Sequence, residues 1–180
     1  VIQVDHCGSL ADPDFSDPIA IYHRDSDPAR LLTDDEIQQF RDKFIQASLL
    51  AYQAGADGVE IKLAHGFFGN EFLQPSNTRE GRYGGSFENR TRFFMEIVDG
   101  IKQEVDLDEF LLGARISAHE GVPGGFGTSG PGDITEDLSE PIAFAKLAQQ
   151  AGLQLISNSA GNAGGNLEIL LPTDASADAV

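Results

Sequence analysis

With 180 residues, 41% hydrophobic and 23% charged, the chain has the size and composition of one globular domain with its own core. Its 12 basic and 29 acidic residues give a net charge of −17, a field that repels phosphate backbones and argues against a nucleic-acid partner. No apolar run nears the roughly 20 residues of a membrane span, no stretch reads as a signal peptide, and the one cysteine, Cys7, allows no internal disulfide and fits a reducing cytoplasm.

In chain order, Val1-Ile-Gln-Val-Asp5 reads as a strand. Thr33-Asp-Asp-Glu36 is a capping box, and Ile37, Phe40, Phe44, Ala47, Ala51 and Ala54 follow at three- and four-residue steps, predicting a helix that Gly55 ends. Gly58-Val-Glu-Ile-Lys62 is the second strand. Ser86 opens a second helix with Phe94, Ile97, Val98 and Ile101 inward, and Phe110-Leu-Leu-Gly-Ala-Arg-Ile116 is the third strand. Ser139 and Pro141 open a third helix through Ile142, Leu147, Ala148 and Ala151. Gly152 stops it, and Leu153-Gln-Leu-Ile-Ser157 is the fourth strand.

Four strands alternating with three helices predict a parallel sheet with helical cover. The long connections, 8–32, 63–85, 117–138 and 158–180, all follow strands, while the helix-to-strand turns are short. Loops piled on the carboxyl ends of strands suit a (β/α)8 barrel, although an open doubly wound sheet shares the preference. The chain holds about half the strands a barrel needs. The start at Val1 directly in a strand, and the patternless Asp174-Ala-Ser-Ala-Asp-Ala-Val180, predict an excerpt of a longer protein: one partial barrel over 1–180, lacking the first two and last two strands.

Strand side chains alternate, so polar residues at every second position of a buried strand converge on one barrel mouth. Gln3 and Asp5 share a face of the first strand, Glu60 and Lys62 of the second, and Arg115 and Ser117 of the third; Ser157 closes the fourth. A blander reading of the same spacing is that Glu60 and Lys62 merely form a self-satisfied ion pair. His65 lies three residues beyond Lys62, and His6 and His119 also follow strand ends. Gly125-Phe-Gly-Thr-Ser-Gly130 matches a dinucleotide-binding pattern by letter, but Pro131 follows and no helix opens there, so it reads as a loop. No cluster has metal-ligand spacing.

Ala54-Gly-Ala-Asp-Gly-Val-Glu-Ile-Lys-Leu-Ala-His-Gly-Phe67 continues as Phe72-Leu-Gln-Pro-Ser-Asn-Thr-Arg79, then Tyr83-Gly-Gly-Ser-Phe-Glu-Asn-Arg90 and Arg92-Phe93. This run resembles the fourth strand and following turn of the Old Yellow Enzyme family of flavin reductases. Gln3-Val-Asp-His6 with Gly8 resembles that family's third strand, and Arg115-Ile-Ser117 its fifth, in order over about residues 1–165. The resemblance implies a TIM barrel that binds FMN over its mouth, takes hydride from NAD(P)H and passes it to a small-molecule acceptor, an alkene conjugated to a carbonyl. It implies that Gln3 bonds the pyrimidine edge of the flavin and that Arg115 lies near its N1 and O2. Lys62 and His65 fall on the pair that holds the substrate carbonyl, Lys62 also beside the cofactor. Two departures stand out. Lys62 occupies a position where histidine is usual, and Phe67 one where many members carry a proton-donating tyrosine. Tyr83 to Arg90 reads as the structural turn into a helix. The family grips the FMN phosphate with loops after its seventh and eighth strands, beyond this sequence.

Two other readings compete. One is a Schiff-base lyase on the same barrel, with Lys62 as nucleophile beside Arg115. The other is an inactive half barrel whose open edges favour self-association into a homo-oligomer.

Overall fold

Local sequence signals start and stop the elements largely where chemistry requires. In the computed structural model, which describes residues 1–23 and 29–166, the order is β1 (Ile2–Val4), a 3-10 turn (Gly8–Leu10), β2 (Ile19–Ala20), β3 (Arg30–Leu31), α1 (Asp34–Gln53), β4 (Gly58–Leu63), α2 (Phe68–Leu73), α3 (Phe87–Lys102), β5 (Leu111–His119), α4 (Ser139–Gln150) and β6 (Leu155–Ala160). Thr33 and Glu36 form the full capping box at α1, and the Ser86 hydroxyl accepts from the Asn89 amide at the start of α3. Gly55 and Gly152, with φ of +81° and +97°, take the left-handed turns that end α1 and α4.

Four strands form the main parallel sheet in the order β1-β4-β5-β6, with each crossover between them carrying a helix, and β2 and β3 pair in a separate parallel ribbon. This is the predicted α/β arrangement, four neighbouring strands of a barrel. The ladder pairs Gln3 with Glu60, Lys62 with Arg115, and Arg115 with Ser157. Residues 167–180, including the patternless Asp174–Val180 stretch, lie outside the described residues, as do 24–28.

Several expectations are corrected. On α1, Ala47 and Ala54 are exposed, and the buried stripe runs through Ser48 instead, whose hydroxyl bonds the Phe44 carbonyl at 2.8 Å. The step from 44 to 48 keeps pace with 3.6 residues per turn, which the 44-to-47 step does not. On α4, Ile142 is exposed while Phe144 and Ala148 are buried, and Leu138 rather than Ser139 caps it. His119 is the last residue of β5 rather than beyond it, and β6 runs on to Ala160. The connection after β4 contains a helix, α2, all of whose residues are buried. Gly125–Gly130 is a loop, as expected, and the next helix opens only at Ser139.

An aromatic layer joins α1, α2 and α3. Phe72 and Phe93 stack with centroids 4.2 Å apart and planes 2° from parallel, and Phe68 meets both edge-on. The Tyr83–Arg90 turn is structural: Asn77 donates to the Phe72 and Tyr83 carbonyls, Arg90 bonds the Leu73 carbonyl and Glu140, and burial together with Glu96 pushes the Tyr83 hydroxyl up to about 12. Phe93→Ala should therefore destabilise the fold by about 3–5 kcal/mol in urea unfolding, and a loss under about 1 kcal/mol would show that this stack is not central to the core.

Candidate active site at the strand ends

Because β1, β4, β5 and β6 run parallel, their carboxyl ends share one rim. Gln3, Glu60, Lys62 and Arg115 all lie on the same side of the sheet there. The structure brings Gln3, Lys62, His65 and Arg115 to this rim, as the sequence predicts, and adds the carboxylates that organise them.

Glu60 is the hub. It is 7% exposed; it accepts from Gln3 Nε2 at 2.7 Å and lies 3.4 Å from Arg115 Nε. Burial opposes its ionisation, but hydrogen bonds from Ser157 and Gln3 and the charge of Arg115 outweigh that, holding the carboxyl below its usual range. Arg115 Nε is buried and makes no hydrogen bond, while the side chain as a whole is 40% exposed.

Lys62 does not pair with Glu60, so the simple ion pair between those two is corrected. Its ammonium bonds Asp5 Oδ2 at 2.8 Å and sits 3.2 Å above the centre of the Phe67 ring. The register explains the switch: Val4 pairs with Ile61, which brings Asp5 beside Lys62, whereas Glu60 sits a full pleat lower, against Gln3. Both contacts hold the side chain against protein groups on either side.

His65 is the only non-glycine among the described residues with positive φ, +65°. Three contacts hold it there. Its backbone N–H donates to Ser117 Oγ at 3.0 Å, its carbonyl accepts from Ala163 N at 2.9 Å, and its ring Nε2 lies 2.7 Å from Ser159 Oγ. Burial first, then the charges of Lys62 and Arg115, lower its pKa from 6.5, against a smaller opposing pull from Asp5. A buried network braces the loops behind it: Glu120 accepts from Gln74 at 2.8 Å, Asn162 at 2.6 Å and the Phe126 amide at 2.5 Å.

His6 lies apart from this group, packed edge-on against Phe40 and Phe68, and serves the core. Ser159 is the residue that sequence reasoning missed. The predicted strand stopped at Ser157, but the alternation of serines at 157 and 159 was its signal.

The sequence of residues 4–163 matches the NADH:flavin oxidoreductase / NADH oxidase family. This chain belongs to that family. It is similar to the NADH oxidase of Thermoanaerobacter brockii, 33% identical over 169 residues, which cover 89% of this chain and 24% of the relative. It is also similar to the NADPH dehydrogenase of Bacillus subtilis, 36% identical over 164 residues, 89% of this chain and 45% of that one. The chain thus spans less than half the length of either. The solved structure of an old yellow enzyme homologue from Zymomonas mobilis superposes with a TM-score of 0.69 at 23% identity, over 92% of this chain and 51% of that one, and shares its fold. Family and fold agree with the Old Yellow Enzyme resemblance and with a partial barrel.

The donor set at the rim fits the family's flavin. Gln3, with Nε2 committed to Glu60, has Oε1 left to accept, while Arg115 offers N–H donors and positive charge. An acceptor beside cationic donors complements a ring edge that carries an N–H next to carbonyl oxygens.

The lowered pKa of His65 has a sign that can be checked. A histidine depressed in the folded state adds stability above the unfolded value of 6.5, and that contribution is lost as pH falls from there through the folded value. Its Hε1 resonance should titrate with a midpoint below 6.5, and Lys62→Met should move that midpoint upward; a wild-type midpoint at or above 6.5 would contradict the electrostatics described.

Proposed function

We propose that this chain forms the flavin- and substrate-facing part of an FMN-dependent NAD(P)H oxidoreductase that reduces small-molecule alkenes conjugated to a carbonyl. The observation that carries the proposal is the convergence of Gln3, Arg115, Lys62 and His65 on one rim in a chain of this family. Bound there, FMN would supply the two-electron chemistry, accepting hydride from NAD(P)H and releasing it to the acceptor.

The protein's own groups do the positioning. Gln3 and Arg115 hold the pyrimidine edge of the cofactor, and the Arg115 cation stabilises negative charge gathering there. His65, depressed in pKa and fixed by Ser159, donates to the acceptor carbonyl as a neutral imidazole. Polarising that carbonyl draws electron density from the β-carbon and eases hydride arrival. Lys62, pinned by Asp5, is the second donor and adds positive charge beside it. Phe67 has no proton to give, so it acts as an apolar wall and as the seat for Lys62. The reading places the protein in the cytoplasm, where Cys7, exposed and unpaired, stays reduced.

The direct test is spectroscopic. Adding FMN to the 180-residue protein should shift the flavin absorbance and quench its fluorescence, and Arg115→Ala should weaken that binding about tenfold, as expected for losing a charge-assisted contact. An unchanged flavin spectrum at saturating protein would sink the proposal that these residues form a working flavin site.

A further inference from the structure

Glu60 touches two of the residues assigned to the cofactor and is itself buried, which raises the question of what it does for them. A carboxylate accepts hydrogen bonds and donates none. A side-chain amide facing it at 2.7 Å must present its NH2 group, so Gln3 is locked with Nε2 toward Glu60 and Oε1 toward the mouth. Without that neighbour, a terminal amide turns over at little cost and offers either end. The same carboxylate lies 3.4 Å from the buried Arg115 Nε, an ionic contact that holds one side of the guanidinium at the rim. One buried group on β4 is thus tied to Gln3 on β1 and faces Arg115 on β5.

We infer that Glu60 is a positioning residue that sets the hydrogen-bond polarity of the flavin site, fixing Gln3 as an acceptor beside the always-donating Arg115, so that the site selects a heterocycle edge with an N–H beside a carbonyl oxygen. This rests on the flavin reading above and adds to it a specificity rule. A ring whose edge N–H is blocked by methylation meets the locked Gln3 Oε1 with nothing to donate, leaving a desolvated acceptor unpaired. Gln3 cannot turn to relieve this while Glu60 stays ionised. The isosteric Glu60→Gln variant removes the constraint, because the new side chain can accept from Gln3 or donate to it.

The experiment compares binding of FMN and N3-methyl-FMN, followed by flavin fluorescence, in wild type and Glu60→Gln. Wild type should prefer FMN by about tenfold or more, and the variant should bind the two within about threefold of each other. An equal preference in both proteins overturns the inference. Gln3→Met, which removes the amide at an exposed position with Glu60 intact, should abolish the preference as well, and a Gln3→Met protein that still discriminates overturns it even if Glu60→Gln fails to fold. A second readout needs no flavin. In the 15N-labelled protein alone, the Gln3 side-chain amide should show one proton shifted well downfield by its carboxylate partner, and the shift should collapse in Glu60→Gln. Should wild type bind neither flavin, the proposed function fails while this signal still decides the role of Glu60: an unshifted Gln3 pair overturns it.

Discussion

The parallel ladder that β4 makes with β1 on one side and β5 on the other puts side chains from distant parts of the chain into rows across the sheet. Gln3 and Glu60 are 57 residues apart, and Lys62 and Arg115 are paired across the next ladder. A shift of one residue in either pairing would turn the slipped strand's groups away from the mouth, because successive side chains alternate between faces. The fully buried faces of β4, with Val59, Ile61 and Leu63 toward the helices, make such a slip prohibitive. The apolar half of β4 thereby fixes where the polar half points.

That arrangement also resolves a solvation problem. Glu60 and Lys62 are both largely removed from water in a protein of net charge −17. A buried ion left alone is strongly destabilising, so each must find compensation nearby. They find it separately, Lys62 in Asp5 and the Phe67 ring, Glu60 in Gln3 and Arg115. The consequence is that the rim is nearly neutral in sum while polar in detail. Its cations and acceptors are held by contacts within the protein and do not depend on a ligand to order them.

The class of fold, the caps of α1 and α3 and the four residues bound for the rim were legible in the sequence. The signals there are local and strong: a capping box at Thr33, glycine stops at 55 and 152, and period-two polarity inside apolar strands. The partner choices were not legible. Which carboxylate takes Lys62 depends on register between strands, and nothing within Gly58–Lys62 records that Asp5 will stand alongside. Helix α2 was hidden for a related reason. Its Phe68–Leu73 segment is short and buried on every side, so it has no amphipathic rhythm to read. The misplaced stripe on α1 came from favouring alanines over Ser48, a polar residue that satisfies its hydroxyl on its own helix backbone and so buries without penalty.

The backbone at His65 has a bearing on the repertoire open to this position. A left-handed φ of +65° two residues past the strand is tolerated well by asparagine, aspartate and histidine, poorly by other side chains, and worst by β-branched ones. Of the tolerant three, only histidine and asparagine can donate a hydrogen bond from the side chain near neutral pH. Steric geometry thus shortens the menu before any catalytic demand is imposed, and the choice between an imidazole and an amide at that corner is nearly all the freedom the fold leaves. Diversification of such a site must therefore come from its neighbours, from positions such as 62 and 67, where the limit is set by packing and by the charge of Asp5 rather than by the backbone.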